Sequence, residues 1–350
     1  MAGSPRSGGD RVNSTKIEWT DRTWNPITGC TKISPGCDNC YAETIAERFR
    51  GTAAFPAGFD VRVRPGKMND PLTWRKPSRV FVNSMSDLFH ADVDQAWVAE
   101  VFAVMAAAGK HSFQLLTKRH ARMRHLLNDS AWVKQVRSRA LGKGLPAGAW
   151  QWPIRNVWLG VSVENQQWAD IRIPALLGTP AAVRFLSCEP LLGPVDLSAW
   201  MPAGFASWRC QGPDCGRFYT GPAQKACPDC NREGYWTGSH TGNGRPNGQP
   251  LSWVIVGGES GRGARPMAPQ WAMALRDQCT GADVPFFFKQ FGEYAPTGYL
   301  VIGGNGKGTL LAGDPVDELG HRVEMRRVGK KAAGRELDGR TWDEFPKAVS

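Results

Sequence analysis

The sequence has no run of about eighteen or more apolar residues, although hydrophobic residues make up 41% of its 350 positions. Because a helix that crosses a bilayer needs about 20 consecutive apolar residues, we expect no membrane association. Residues 1–15 also lack the apolar centre of a secretory signal peptide. We interpret them as a flexible leader and expect a cytoplasmic protein.

Acidic residues are scarcer than basic ones, 32 against 43, so the formal net charge is +11. This excess favours an anionic partner, either nucleic acid or a nucleotide, with a generic basic surface as the alternative. The 15 tryptophans are numerous. We expect some of them to line a pocket or a stacking surface and the rest to lie in the core.

Nine cysteines in a reducing compartment suggest metal binding rather than disulfides. Four of them, spaced C-x4-C-x11-C-x2-C, lie in the polar, glycine-rich stretch 201–250: Cys210, Cys215, Cys227 and Cys230. Two pairs of thiolates can supply a tetrahedral zinc site, so we predict an inserted zinc ribbon with structural Zn²⁺. A second iron–sulfur cluster and unpaired thiols are the alternatives.

Apolar, strand-like runs alternate with helix-like segments along the remainder of the chain. Strands are expected in WNPITG, RVFVNSMSD, SFQLLTKR, NVWLGVSVEN, VRFLSCEP, SWVIVGGES and VPFFFKQFG. This alternation predicts an α/β fold with a parallel sheet, specifically a full or partial TIM-type (β/α) barrel, with an open doubly wound sheet as the second choice. The barrel core would comprise residues 16–200 and 251–320. Residues 321–350 would form a C-terminal strap across the barrel that shields its mouth.

Polar residues stand at the carboxyl ends of these strands, where (β/α) barrels carry their chemistry. The residues in question are Ser84, Ser86, Asp87, Thr117, Lys118, Arg119, Ser162, Glu164, Asn165, Ser187, Glu189, Glu259, Ser260, Lys289 and Gln290. One such residue would be taken for a cap, but six strands that all end this way predict a shared, charged mouth.

Three further cysteines, Cys30, Cys37 and Cys40, follow the first strand with the spacing C-x6-C-x2-C. They could hold a [4Fe–4S] cluster by three irons and leave the fourth iron open. An open iron can chelate the amino and carboxylate groups of S-adenosylmethionine. A zinc site completed by a histidine, with His90 the nearest in sequence, and a purely structural trio are the alternatives.

Three cysteines after the first strand of a barrel resemble the radical S-adenosylmethionine superfamily. More specifically, the sequence is similar to a phage- and prophage-associated family of three-Cys-motif proteins. The similarity extends over KIEWTDRTWNPITGCTKISPGCDNCYAE, LTWRKPSRVFVNSMSDLFH, FQLLTKR, WLGVSVEN, RFLSCEPLLGPVDL, WVIVGGESG, FFFKQFG and GKKAAGRELDGRTWDEFP. The first gap departs from the usual C-x3-C-x2-C spacing, whereas the final C-x2-C is kept.

The resemblance implies roles for individual residues. The three cysteines would bind the cluster, and S-adenosyl-L-methionine would be held by Ser84, Ser86, Lys118, Ser162, Glu164 and Gly258. In this set Lys118 suits the methionine carboxylate and Glu164 suits the ribose hydroxyls. Glu259 would contact substrate, and Cys188 would donate a hydrogen atom to a product radical unless it is a buried structural thiol.

The implied function is generation of a 5′-deoxyadenosyl radical that modifies or repairs a nucleobase or nucleotide. An electron donor such as flavodoxin or ferredoxin would be required. Two alternatives remain: a zinc-stabilised nucleic-acid-binding protein without catalysis, and a hydrolase or transferase that uses Glu259 or Glu189 as acid or base.

Overall fold

A computed structural model describes residues 15–201, 206–209, 218–221, 251–300, 309–313 and 322–346. Its strands are β1 (Arg22–Trp24), β2 (Ile27–Thr28), β3 (Arg62–Val63), β4 (Arg79–Val82), β5 (Ser112–Thr117), β6 (Val157–Ser162), β7 (Val183–Cys188), β8 (Ala206–Arg209), β9 (Phe218–Gly221), β10 (Trp253–Gly257), β11 (Phe286–Gln290), β12 (Tyr294–Leu300), β13 (Thr309–Ala312), β14 (Arg322–Arg327), β15 (Glu336–Leu337) and β16 (Arg340–Thr341). Its α-helices are α1 (Tyr41–Arg48), α2 (Asp70–Thr73), α3 (Gln95–Ala107), α4 (His120–Asn128), α5 (Ser130–Gly142), α6 (Gln166–Leu177), α7 (Pro269–Gly281) and α8 (Lys330–Ala333). Short 3₁₀ helices cover Pro35–Cys37, Pro65–Lys67, Ala147–Ala149 and Ser198–Trp200.

Seven strands form one parallel sheet in the order β1-β4-β5-β6-β7-β10-β11. Successive strands of this sheet are neighbours in space, so the strand order never reverses as it does in a doubly wound sheet. The sheet curls into a half-barrel. Within the described residues β1 and β11 do not pair, so the barrel stays open. The predicted α/β fold with a parallel sheet is confirmed, and the half-barrel is compatible with the partial form of the predicted TIM-type (β/α) barrel.

The two faces of the sheet bury different side chains because successive residues of a strand point to opposite sides. On β4, Val80 and Val82 join the large core that packs against the helices, whereas Phe81 joins a second cluster on the concave face. The second cluster is largely aromatic, with Trp253 at its centre. Continuous burial of β6, β7 and β10 follows from this two-sided packing.

Side-chain caps fix where several helices begin. Asp94 accepts a hydrogen bond from the backbone N–H of Ala96 at the start of α3, and Asp129 caps α5 in the same way. Asn165 accepts a hydrogen bond from the backbone N–H of Trp168 and caps α6. Because Asn165 lies just beyond the end of β6, the helix begins shortly after that strand. Such caps satisfy backbone donors that lack helical partners.

The C-terminal residues contact the amino-terminal end of the half-barrel. Phe345 stacks near Trp253, with ring centroids 5.1 Å apart, and under the Arg79 guanidinium at 4.2 Å. Trp253 and Arg79 begin their strands, so Phe345 lies at the end opposite the mouth. Earlier in the predicted strap, Arg327 donates to the carbonyls of Gly261 and Arg262 in the loop that follows β10. In addition, β14 pairs with β12 and β13 in an antiparallel sheet that crosses the predicted boundary at residue 320.

In the interval 201–250 the structure describes Met201 and the antiparallel pair β8–β9. All four cysteines of the predicted zinc ribbon, Cys210, Cys215, Cys227 and Cys230, lie outside the described residues, and the zinc ribbon stays a prediction. In the described part of the chain, every helix is too short or too polar to cross a bilayer.

Candidate functional site

The three predicted cluster cysteines lie on one loop, residues 29–40, which we call the three-cysteine loop. It begins where Gly29 bridges to Ser86, just beyond the carboxyl end of β4. Gly29 has φ +85°, and a Cβ atom there would lie 2.1 Å from the carbonyl oxygen of Asp60, so only glycine fits. Cys37 ends a 3₁₀ turn and Cys40 is the N-cap residue of α1.

The first cysteine lies among side chains from the ends of β4 and β5. Burial raises the pKa of the Cys30 thiol to about 11, the Asp87 carboxylate adds to this rise, and Arg119 opposes it. Arg119 also donates to the Thr31 hydroxyl at 2.7 Å and to the Thr31 carbonyl at 3.2 Å. All three thiols of the loop are partly exposed.

The middle of the loop rests on Glu164, a fully buried carboxylate beyond the end of β6. The Ser34 hydroxyl donates to its Oε1 at 2.7 Å, and Arg172 Nη1 donates to its Oε2 at 2.8 Å. Lys118 Nζ lies 3.6 Å from Oε1. Desolvation lowers the pKa of the Arg172 guanidinium, and the Glu164 carboxylate offsets part of this decrease.

The end of the loop rests on Glu259, which lies beyond the end of β10. Asn39 Nδ2 donates to Oε2 of Glu259 at 3.1 Å, and Arg265 binds both carboxylate oxygens. The same arginine reaches the loop itself, donating to the Pro35 carbonyl at 2.7 Å and to Asp38 Oδ2 at 3.1 Å. Glu259 raises the pKa of Arg265 by a direct hydrogen bond.

A third carboxylate, Glu189, forms an ion pair with Lys289 Nζ at 2.8 Å and accepts from the Ser187 hydroxyl at 3.1 Å. Glu189 follows β7 and Lys289 lies on β11, with β10 between them. The pair spans Gly257 of β10, where a Cβ atom would lie 3.1 Å from Glu189 Oε1. The Glu189 carboxylate raises the pKa of Lys289 against its burial.

The two predicted serines after β4, Ser84 and Ser86, form hydrogen bonds to residues between β1 and the end of β2. The Ser86 hydroxyl donates to the Ile27 carbonyl at 2.9 Å, and the Ser84 hydroxyl exchanges hydrogen bonds with the Asn25 side chain. The Tyr41 hydroxyl donates to the Ser84 carbonyl at 2.6 Å, so the first residue of α1 is tied to the same strand end.

Other predicted site residues have local structural roles. The Ser162 carbonyl accepts from Arg172, and the Ser162 side chain is buried. A Cβ atom at Gly258 would lie 1.9 Å from the carbonyl oxygen of Phe291, so the glycine permits a close backbone approach. Cys188 is fully buried in the helix-side core, and burial raises the pKa of its thiol. This position favours a structural thiol, and its proposed role as a hydrogen donor stays a prediction.

The structure therefore places the three-cysteine loop beside Ser84, Ser86, Lys118, Glu164 and Glu259, and keeps Cys188 on the other face of the sheet. No group of three or more His, Cys, Asp or Glu side chains converges as a single-ion site within the residues that the structure describes. A cuboidal cluster does not need such convergence, because each cysteine binds a different iron.

Sequence reasoning missed several residues of this site. Ser34, Asn39 and Arg265 lie in loops, and Arg172 lies in a helix segment that shows no catalytic pattern. Asn83 is buried with φ +59°, and neither atom of its amide has a hydrogen-bond partner in the described chain. Its one sequence signal is that asparagine tolerates the left-handed conformation at a strand end.

A family model described as "Protein of unknown function (DUF5131)" matches residues 14–346, most of the chain. No curated protein matches the sequence. No solved structure matches it either.

Proposed function

We propose that this chain, which belongs to the DUF5131 family of proteins of unknown function, is a radical S-adenosylmethionine enzyme with a [4Fe–4S] cluster on Cys30, Cys37 and Cys40. The observation that carries the proposal is the position of the three-cysteine loop. It presents three partly exposed thiols at the carboxyl ends of a parallel half-barrel, the end at which (β/α) enzymes carry their chemistry.

The charges around the loop suit an anionic metal–thiolate centre. Arg119 lies against Cys30, and the electrostatic interaction of Arg172 reaches Cys37. Cations near thiols favour the thiolate form that binds iron. Burial and Asp87 raise the pKa of Cys30 in the metal-free chain, and Arg119 offsets part of that rise. The two cations therefore support thiolate ligation at Cys30 and Cys37.

When bound, the cluster and S-adenosylmethionine supply a 5′-deoxyadenosyl radical, and the protein's part is to orient the substrate and exclude competing reactions. Lys118 fits the cofactor carboxylate, because an ammonium group has three donors and, among the described residues, its one ion-pair partner is Glu164 at 3.6 Å. Ser84 retains acceptor capacity at the same strand end.

A nucleobase or nucleotide is the substrate class that the surface favours. Tyr41 and Ile45 of α1 and its C-cap residue Phe49 follow one another at intervals of four residues and are between 40% and 51% exposed. Arg48 lies over the Phe49 ring at 5.6 Å. Exposed rings next to cations are what base stacking and phosphate contacts require, and the formal net charge of +11 acts in the same direction.

The proposal is tested by oxygen-free reconstitution of the full chain with iron and sulfide. We expect about four irons per chain with brown, iron–sulfur absorption, and release of 5′-deoxyadenosine once a flavodoxin- or ferredoxin-type donor or dithionite supplies electrons. Cys40→Ala should lose both the bound iron, with its absorption, and the release of 5′-deoxyadenosine. The matched control is Cys279→Ala, which removes a buried thiol outside the loop and should keep the iron.

A wild-type chain that takes up no iron at the loop contradicts the proposal. In that case zinc analysis and salt-dependent binding to DNA or RNA decide whether the chain is instead a zinc-stabilised nucleic-acid-binding protein.

A further inference from the structure

Most of the acceptor capacity of the Glu259 carboxylate is used by the loop and by Arg265. Oε2 accepts from Asn39 Nδ2 at 3.1 Å and from the Arg265 backbone N–H and Nε at 2.8 and 2.9 Å. Oε1 accepts from Arg265 Nη2 at 2.7 Å. Each carboxylate oxygen offers about two acceptor positions, so Oε2 is fully engaged and Oε1 keeps about one position beside Arg265.

Glu164 is engaged in a similar way. Ser34, Arg172 and Lys118 approach its two oxygens, and the residue has no exposed surface. A ribose hydroxyl could reach this carboxylate only by displacing one of these partners. Burial of an ionised carboxylate is tolerated because it is paired and hydrogen-bonded.

Both carboxylates are joined to the three-cysteine loop. Glu164 holds Ser34, which lies between Cys30 and Cys37, and Glu259 holds Asn39, which lies between Cys37 and Cys40. The two contacts come from different strands, β6 and β10, and so fix the loop from two sides.

Two glycines let the loop approach these strand ends closely. A Cβ atom at Gly36 would lie 2.5 Å from Oε1 of Glu164. A Cβ atom at Gly263, whose carbonyl accepts from Asn39 at 2.8 Å, would lie 2.3 Å from Oδ1 of Asn39.

We propose that Glu164 and Glu259 are positioning residues that clamp the three-cysteine loop onto the ends of β6 and β10. They act through Ser34, Asn39 and Arg265, and they set the spacing of the three thiols before any metal arrives. This role replaces the ribose contact expected for Glu164 and the substrate contact expected for Glu259. It does not depend on the loop binding iron.

The test is amide hydrogen exchange of the full-length, metal-free chain, read on peptides that cover residues 30–40. The amides of Cys37 and Asp38 donate to the carbonyls of Ser34 and Pro35 within the loop, at 2.9 and 3.2 Å, and report its opening. Ser34→Ala removes a hydrogen bond to a charged acceptor, so we expect exchange in the loop to rise about tenfold to a hundredfold. Ser34→Thr keeps the hydroxyl and should restore slow exchange.

The chain provides a matched control for Gly36. Residues Pro35–Cys37 and Pro65–Lys67 both form Pro-Gly-X 3₁₀ turns. A Cβ at Gly66, however, would have no atom of the described chain within 4 Å apart from its own chain neighbours. Gly36→Ala should therefore open the three-cysteine loop, whereas Gly66→Ala should leave exchange of residues 30–40 unchanged.

The proposal is overturned if Ser34→Ala and Gly36→Ala leave the loop's exchange unchanged. It is also overturned if exchange rises equally in peptides from β6, since that pattern indicates general support of the sheet. Iron uptake by the wild-type chain is measured separately. If the expected exchange pattern is seen but no iron is bound, the clamp proposal stands and the proposed radical-enzyme function is rejected.

Discussion

Arg172 is a fully buried cation, and only some of its guanidinium N–H donors have hydrogen-bond partners in the described chain. Nη1 donates to Glu164 and to the Ser162 carbonyl, and the guanidinium lies 4.0 Å from the Trp168 ring centre. Nε and Nη2 have no hydrogen-bond partner in the described chain. Its helix segment, QQWADIRIPALL, shows no pattern that would distinguish this arginine from a surface one.

Arg172→Met should destabilise the fold by about 3 kcal/mol, because it leaves the buried Glu164 carboxylate without its closest cation. Chemical denaturation of the single variant and of Arg172→Met/Glu164→Leu measures the effect. We expect the double variant to be more stable than the single one, since an apolar pair leaves no uncompensated charge. Destabilisations that simply add would contradict the buried-pair account.

The sequence predicted the mouth residues that depend on strand alternation. Lys118, Glu164, Glu259 and Lys289 follow or end apolar runs, so their placement at one edge required only the parallel sheet. Their partners were not predictable, because Glu164 meets Ser34 across 130 positions of sequence. Contacts of that kind depend on the conformations of the loops, and hydrophobic periodicity does not predict those conformations.

At the scale of single elements, β1 is a three-residue edge strand that pairs with β4, and one carboxylate adds to the attachment of its start. Asp21 accepts from the backbone N–H of Arg79 at 2.8 Å and from the Arg79 guanidinium at 2.9 Å. These bonds attach the start of β1 to β4, and the Arg79 hydrogen bond lowers the pKa of Asp21.

Asp21→Asn should reduce the free energy of unfolding at pH 7 by less than about 1 kcal/mol, because the side chain is 46% exposed and the pair is screened by solvent. A carboxyl whose pKa is lower in the folded state stabilises above its unfolded pKa of about 3.9 and loses that contribution as the pH falls through the folded value. The difference between wild type and variant should therefore shrink from pH 5 towards pH 3 in urea titrations.

Asp60→Asn is the control for this measurement, since Asp60 is 68% exposed and lies 4.0 Å from Arg50. It should change stability little at either pH. A difference between wild type and Asp21→Asn that persists unchanged in acid would show that the ionised carboxylate is not what attaches β1.

The C-terminal strap shows what element-level prediction leaves open. The aromatic residues Trp342 and Phe345 predicted an anchored segment, and they do pack against the sheet. Which end they cover depends on the antiparallel run of the tail along β11, where the Phe288 amide donates to the Trp342 carbonyl. Local sequence could not supply that direction.

For the whole molecule, the two ends of the half-barrel differ in chemistry. An aromatic cluster fills the concave face near the strand starts, while the strand ends carry charged and polar residues beneath the three-cysteine loop. Because β1 and β11 do not pair in the described chain, the sheet does not close into a full barrel. The proposed substrate, a base within a polynucleotide, would enter at the charged mouth.

A single-stranded oligonucleotide should therefore bind at this mouth with strong salt dependence, since each neutralised phosphate releases counterions. Tyr41→Ala should weaken binding by about 1–3 kcal/mol, the usual value of one stacked base. Ile171→Ala is the control: Ile171 is similarly exposed, 43% against 51%, but lies on α6 on the helical side of the sheet. Fluorescence anisotropy at several salt concentrations measures both variants. Equal affinities for the two variants would place the nucleic acid elsewhere on the molecule. Binding that does not depend on salt would count against nucleic acid as the substrate.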